Sequence, residues 1–266
     1  MRLFKKQPDD NWLIDLDKYR IKEKPKGRWD CKGPWYSDDG EDGVLAYLFE
    51  YINPKHNFAV DIGATHGYGG SHVRHLTDKY KWGSTEIEGY PKSYWKRIHS
   101  RINKERISPG NLCEILSKYK TPKRFDLLSL DIDSMDWYVI EQLLENNYKP
   151  SIAIIEFNPI FNHDEAYVVK YNPKYKKDGT SRYGASARAF EVLMNKHNYT
   201  LIHLFPQTTA NNLLFILNDY ITPTMNINTL QNLHPQGYVE KHKQKINESR
   251  GLTKGVIRKS FKKIDL

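Results

Sequence analysis

Residues 58–70 read FAVDIGATHGYGG. Phe58–Ile62 is a short apolar run of strand type that ends on Gly63. The glycines that follow let the backbone turn sharply and approach a ligand closely. Residues 71–80 then read as a helix, and the free N–H groups at a helix start favour an anion. Working outward, residues 84–88 (STEIE) predict a second strand, 106–108 a short third, 125–131 (FDLLSLD) the clearest strand, and 151–156 (SIAIIE) a further buried one. Helices are expected at 42–51, 94–103, 137–146 and 185–197. Residues 199–205 and 212–217 read as a closing strand pair. Continuous apolar strands alternating with helices predict a parallel sheet covered on both faces. In such sheets ligands sit beyond the carboxyl ends of the strands.

Composition sets the outer bounds. The chain has 266 residues, 41 Lys+Arg and 32 Asp+Glu, with 39% hydrophobic and 13% aromatic residues. That aromatic content argues against disorder. A mean hydropathy of −0.73 and the lack of an 18-residue apolar run argue against a membrane span. MRLFKKQPDD has no apolar h-region, so no secretory signal is expected. Cys31 and Cys113 are too few for a disulfide or cysteine–zinc scaffold, which points to a reducing, cytoplasmic setting. Residues 240–266 supply +6 of the +9 net charge, leaving an ordinary body and a basic tail. Such a tail can contact phosphate backbones, or be a solvated surface helix or loose end. The expected organisation is an N-terminal extension (1–40) packed on the core, a central domain (41–222) and the basic C-terminal tail (223–266).

Glu88 ends strand two, 21 residues after Gly67, where a carboxylate can take both hydroxyls of a ribose. The dinucleotide pattern GxGxxG fails in both registers, because Thr65 and His72 stand where glycines are needed. A P-loop fails too, since no GK[ST] follows. What remains is D-x-G-x-x-x-G, from Asp61 through Gly63 to Gly67.

With these residues in view, about 60% of the chain (58–217) resembles the class I S-adenosylmethionine-dependent methyltransferases, and more narrowly their FkbM-like group. The resemblance is carried by VDIGATHGYGG (60–70), STEIEG (84–89), FDLLSLDIDSMD (125–136) and IAIIEFNP (152–159), with RYGASARAFEVL (182–193) and NNLLFIL (211–217). It implies a Rossmann-like α/β fold with helices on both faces and a mostly parallel sheet ending in an antiparallel strand pair. It further implies that Asp61, Gly63 and Gly67 form the loop around the methionine part of S-adenosylmethionine, with Thr65 and His66 donating to its carboxylate. Glu88 would hold the ribose, Asn111 the adenine edge, and Asp131 the methionine amine near the reaction centre. Thr65 stands where the family commonly has glycine.

The ends of strands four and five carry Asp131, Asp133, Asp136, Glu156, Asn158, His163 and Asp164. Asp133 and Asp136 also suit the first turn of the following helix. Two devices could activate an acceptor hydroxyl. One is base catalysis by His163 or Asp133. The other is Mg²⁺ or another divalent cation on Asp131, Glu156 and Asn158. The catalytic set is then Asp131, Asp133, Glu156 and His163. Residues 162–182, with Tyr167, Tyr171 and Tyr175, form a long loop of the kind that makes lids or acceptor platforms. The expected activity is O-methylation of a sugar hydroxyl in a glycan or nucleotide sugar, with small-molecule or glycan acceptors. An RNA ribose 2′-O-methyltransferase using the basic tail, and a non-catalytic interaction module, are the alternatives.

Overall fold

The computed structural model describes residues 16–19, 36–37, 40–67, 69–89, 100–175, 180–205, 211–221, 227, 229–233 and 259–265. The expected helix at 94–103 lies largely outside these residues, as do most of the N-terminal extension and most of the basic tail.

The chain order is α1 (Glu41–Ile52), β1 (Phe58–Ile62), α2 (Arg74–Lys79), β2 (Gly83–Ile87), β3 (Ile102–Asn103), α3 (Leu112–Lys118), β4 (Arg124–Leu130), α4 (Asp136–Glu145), β5 (Lys149–Glu156), β6 (Tyr167–Val169), α5 (Ala187–Lys196), β7 (Tyr199–Phe205), β8 (Asn212–Leu217), α6 (Leu230–Leu233) and β9 (Phe261–Lys263). Seven strands form one sheet in the order β3-β2-β1-β4-β5-β8-β7. β1 through β5 pair in parallel, and β8 runs antiparallel to both β5 and β7. This is the Rossmann-like, mostly parallel sheet with a closing antiparallel pair that the sequence predicts.

The central strands are apolar on both sides because both sides are covered. Along β5, Ala153 and Ile155 join one core layer with α3, α4 and α5. Ile152 and Ile154 join the other with α1. Strand order reverses between β1 and β4, so β2 and β5 lie on opposite sides of that seam. That switch point is where a parallel sheet opens a crevice at its carboxyl end.

Two expectations are corrected. The third strand is Ile102–Asn103, not 106–108: it pairs with Glu86 and Ile87, while 106–108 continue as irregular backbone along the crevice. Helix α3 follows immediately, burying Leu112, Ile115 and Leu116 at helical spacing. The end of the basic tail is neither a loose end nor a surface helix. β9 pairs antiparallel with β6, and Phe261 is buried against Phe161 with ring centroids 4.9 Å apart. Among the described residues, no helix is long and apolar enough to cross a membrane.

At the N-terminal side, Leu16 is buried in the α1 layer and Tyr19 stacks on Tyr47 at 3.6 Å between ring centroids.

Candidate active site

A cavity of about 660 Å³ opens at the carboxyl ends of β1, β2 and β4. Its size lies within the usual range for small-molecule sites. One wall is the glycine turn. Gly63 and Ala64 both donate their N–H to the Ile87 carbonyl, at 2.9 and 3.0 Å, which draws the turn against β2. Asp131 N–H donates to the Ile62 carbonyl at 2.9 Å, which draws it against β4 as well. Gly63 has φ +93°, and a Cβ there would lie 1.6 Å from the Asp131 carbonyl oxygen. Only glycine fits. Thr65 sits at φ +50°, the left-handed region where a glycine would be unstrained. Its N–H donates to Glu88 Oε2 at 3.1 Å. Gly63, Thr65, Glu88 and Asp131 thus all line one cavity.

The other expected cofactor residues do not line it. Asp61 is buried behind the turn, where its carboxylate accepts from Ser71 Oγ at 3.0 Å. That hydroxyl in turn accepts from the N–H groups of Val73 and Arg74, so Asp61 anchors the entry to α2. Gly67 shapes the turn, at φ 72° with its N–H on the Ala64 carbonyl. His66 is buried outside the lining. Asn111 is not among the lining residues. Its Oδ1 accepts from Ser108 N–H at 2.8 Å and its Nδ2 donates to the Arg106 carbonyl at 2.9 Å. The amide is consumed in holding the 106–111 loop, and that loop's Arg106, Ile107 and Ser108 form the wall instead.

The acidic cluster is smaller than its sequence suggests. One carboxylate oxygen from each of Asp131, Asp133 and Glu156 lies within 4.8 Å of the others. Glu156 is buried at the end of β5 and hydrogen-bonded to Asp131. Burial, then the charges of Asp131 and Asp133, hold its carboxyl well above the usual carboxylate range. Asp133 lines the cavity at φ +53°, a conformation that Asp tolerates better than most residues.

Two expected members drop out. Asn158 is fully buried, but its Nδ2 donates to the carbonyls of Ser181 (2.8 Å) and Tyr183 (2.9 Å) and its Oδ1 accepts from Ile160 N–H. It braces the loop before α5. His163 lies in the turn before β6, outside both the cavity lining and the acidic group. Asp136 works as a helix-start residue. It accepts from the N–H groups of Ile132 and Ser134, both at 2.9 Å, and so fixes the segment that carries Asp133. Burial pushes its carboxyl up to about 6.

The roof comes from the long loop, as its length suggests. Asn172, Pro173 and Tyr175 line the cavity, and the Arg106 guanidinium donates to the Tyr175 carbonyl at 2.7 Å. The roof is thereby tied to the β3–α3 side.

Behind the glycine turn lies a buried polar network that the sequence did not reveal. Glu41, Asp42 and Asp61 surround His72, all almost fully buried. His72 Nε2 faces Glu41 Oε1 at 3.7 Å and its Nδ1 meets Ser129 Oγ at 3.1 Å. Asp42 accepts from the N–H groups of Tyr36 and Ser37, and the Tyr36 carbonyl accepts from Gly70 N–H. The N-terminal segment is thus stitched to the end of the glycine turn. Burial alone would lower the His72 pKa, but the facing Glu41, Asp61 and Asp42 outweigh it and raise it to about 9. A raised imidazole pKa stabilises the fold fully below its ordinary value near 6.5 and loses that contribution as pH rises through 9. Denaturant unfolding should therefore show stability falling from pH 6.5 to 9. His72→Gln should flatten that slope, and an unchanged slope would contradict the assignment.

No family model matches the chain, and no curated protein matches it. Among solved structures, a candidate hemolysin from Lactococcus lactis is 14% identical, with 74% of this chain and 94% of that chain covered at a TM-score of 0.40. A candidate O-methyltransferase from Klebsiella pneumoniae is 13% identical, with 81% and 92% covered at 0.40. LepI, solved in complex with SAM, is 15% identical at 0.31 over 66% of this chain; the chain spans about half of LepI's length, 51%. Likeness at this level assigns neither activity nor ligand.

Proposed function

We propose that the chain is an S-adenosylmethionine-dependent O-methyltransferase acting on a sugar hydroxyl of a glycan or nucleotide sugar. One observation carries the reading: a single cavity at the switch point is walled by a glycine-only turn on one side and a ribose-type carboxylate, Glu88, on the other. The donor set fits a nucleoside with a polar tail. Glu88 Oε2 accepts from Thr65 N–H, which fixes the carboxylate against the turn. Ile87 and Ile107 supply apolar surface for a base. When bound, S-adenosylmethionine would supply a methyl group made electrophilic by its sulfonium.

The chain's part is then alignment and proton removal. Alignment of the attacking oxygen is worth several kcal/mol. Asp133, in the lining, would take the hydroxyl proton. A positioned base adds about 10²–10⁴ in rate. Asp136 acts through it, by fixing the 132–134 backbone. Three clustered carboxylates also suit Mg²⁺ or a similar hard cation. Asp131, Asp133 and Glu156 would hold it. A bound cation would supply Lewis acidity to the hydroxyl.

Transfer of labelled methyl groups from S-adenosylmethionine to a panel of hexoses, oligosaccharides and nucleotide sugars tests the activity. Labelled sugar is expected with Mg²⁺ present, lost in EDTA while S-adenosylhomocysteine still binds. Full turnover in EDTA would remove the cation and leave Asp133 as base. Mn²⁺ binding read by electron paramagnetic resonance should be lost in Glu156→Gln. Unchanged binding in that variant would place the ion elsewhere.

A further inference from the structure

Tyr171 is 50% exposed, the most open large apolar or aromatic side chain among the described residues. It directly precedes Asn172 and Pro173, which line the cavity. Its ring is held edge-to-face on Tyr138, with centroids 5.1 Å apart. Trp137 and Tyr138 are already occupied, since Lys262 of β9 lies 5.5 and 5.0 Å from their ring centroids. Tyr171 is the aromatic left open.

The segment bearing it is firmly mounted. Tyr138 Oη donates to the Val169 carbonyl at 3.1 Å. Lys170 N–H donates to the Ser260 carbonyl at 2.9 Å, and Ile264 N–H to the Ala166 carbonyl at 2.9 Å. These bonds flank the β6–β9 pairing, so a strand from the end of the chain fixes the backbone that leads into Tyr171 and the lining residues Asn172 and Pro173. A single surface tyrosine is ordinary. A tyrosine braced from two directions beside a cavity mouth is a different object.

We propose that Tyr171 docks the acceptor: its open face stacks on the C–H face of a hexose ring while a hydroxyl of the same saccharide enters the cavity. This rests on the methyl-transfer reading of the cavity and adds where the acceptor lies. The chemistry around the ring selects the occupant. Lys170, Asn172 and Lys174 are all exposed beside it, so the ring stands among hydrogen-bonding groups rather than in an apolar groove. That suits a sugar, which has one apolar face and a rim of hydroxyls. The floor carries Asp131 and Asp133, which disfavour a polyanionic strand on the same path.

The test is saturation-transfer NMR on the full chain, with maltose, UDP-glucose and single-stranded oligoadenylate as probes, with and without S-adenosylhomocysteine. Hexose ring protons of maltose or UDP-glucose should receive saturation in the wild type and in Tyr171→Phe. Tyr171→Ala should weaken that binding roughly tenfold, the size of one lost aromatic stack. Its S-adenosylhomocysteine affinity should not change. Three results overturn the proposal: no contact with either saccharide, saccharide binding unchanged in Tyr171→Ala, or Tyr171-dependent binding of oligoadenylate alone. Failure of S-adenosylhomocysteine to bind, with the Tyr171-dependent sugar contact intact, would instead remove the cofactor reading and leave the sugar dock standing.

Discussion

Gly63→Ala should abolish S-adenosylhomocysteine binding and lower the unfolding temperature by roughly 10 °C or more. Two costs combine. At φ +93° an L side chain is strained by more than the 1–2 kcal/mol of an ordinary left-handed residue. The new methyl would also sit 1.6 Å from the backbone oxygen of Asp131, and no side-chain rotation can relieve a backbone clash. Relief requires parting β1 from β4 where Asp131 N–H meets the Ile62 carbonyl. That is the central seam of the sheet and the floor of the cavity. Loss of more than about 4 kcal/mol is the scale of such backbone defects, and at this chain length each kcal/mol is worth about 2–4 °C. Thermal unfolding and calorimetric titration read the two effects separately. A variant that melts and binds like the wild type would mean that the turn is not built this way.

Glu88→Ala should weaken S-adenosylhomocysteine binding about 100-fold while leaving the fold nearly intact. Hydrogen bonds to a charged group are worth about 1.5–3 kcal/mol, and a ribose would present two hydroxyls to one carboxylate. A loss near 3 kcal/mol is about 100-fold in Kd. Structurally, Glu88 is only half-buried, so truncation leaves no large cavity. Glu88→Gln should recover part of the affinity, since an amide keeps one acceptor. Affinity unchanged in both variants would remove Glu88 from the site.

The legible parts of the chain were those written in contiguous residues. β1, β4 and β5 are largely apolar runs, the pattern that a parallel sheet covered on both faces demands at its centre. The positions of Gly63, Thr65, Glu88 and Asp131 followed from being the first residues past β1, β2 and β4. The third wall did not follow. β3 has two residues, too short for any periodicity, and begins four residues before the 106–108 stretch that the sequence suggests.

Side-chain direction was also hidden. Asn111, Asn158 and His163 have suitable types at suitable chain positions, yet the two amides are spent on backbone groups and the imidazole lies outside the cavity. Sequence gives a donor's identity and not its partner. Long-range pairings were beyond reach for the same reason. β6 and β9 are three residues each and far apart in the chain. Glu41 and Asp42 read as ordinary acids at a helix start, where the dipole favours them. Only the fold shows them buried around His72.

The central claim is that the cavity at the β1–β4 seam holds S-adenosylmethionine. Calorimetric titration of the full chain with S-adenosylhomocysteine, beside NAD⁺, tests it most directly. Micromolar binding of S-adenosylhomocysteine alone, lost in Glu88→Ala, is the predicted result. Binding of NAD⁺ instead, or of neither, would contradict it.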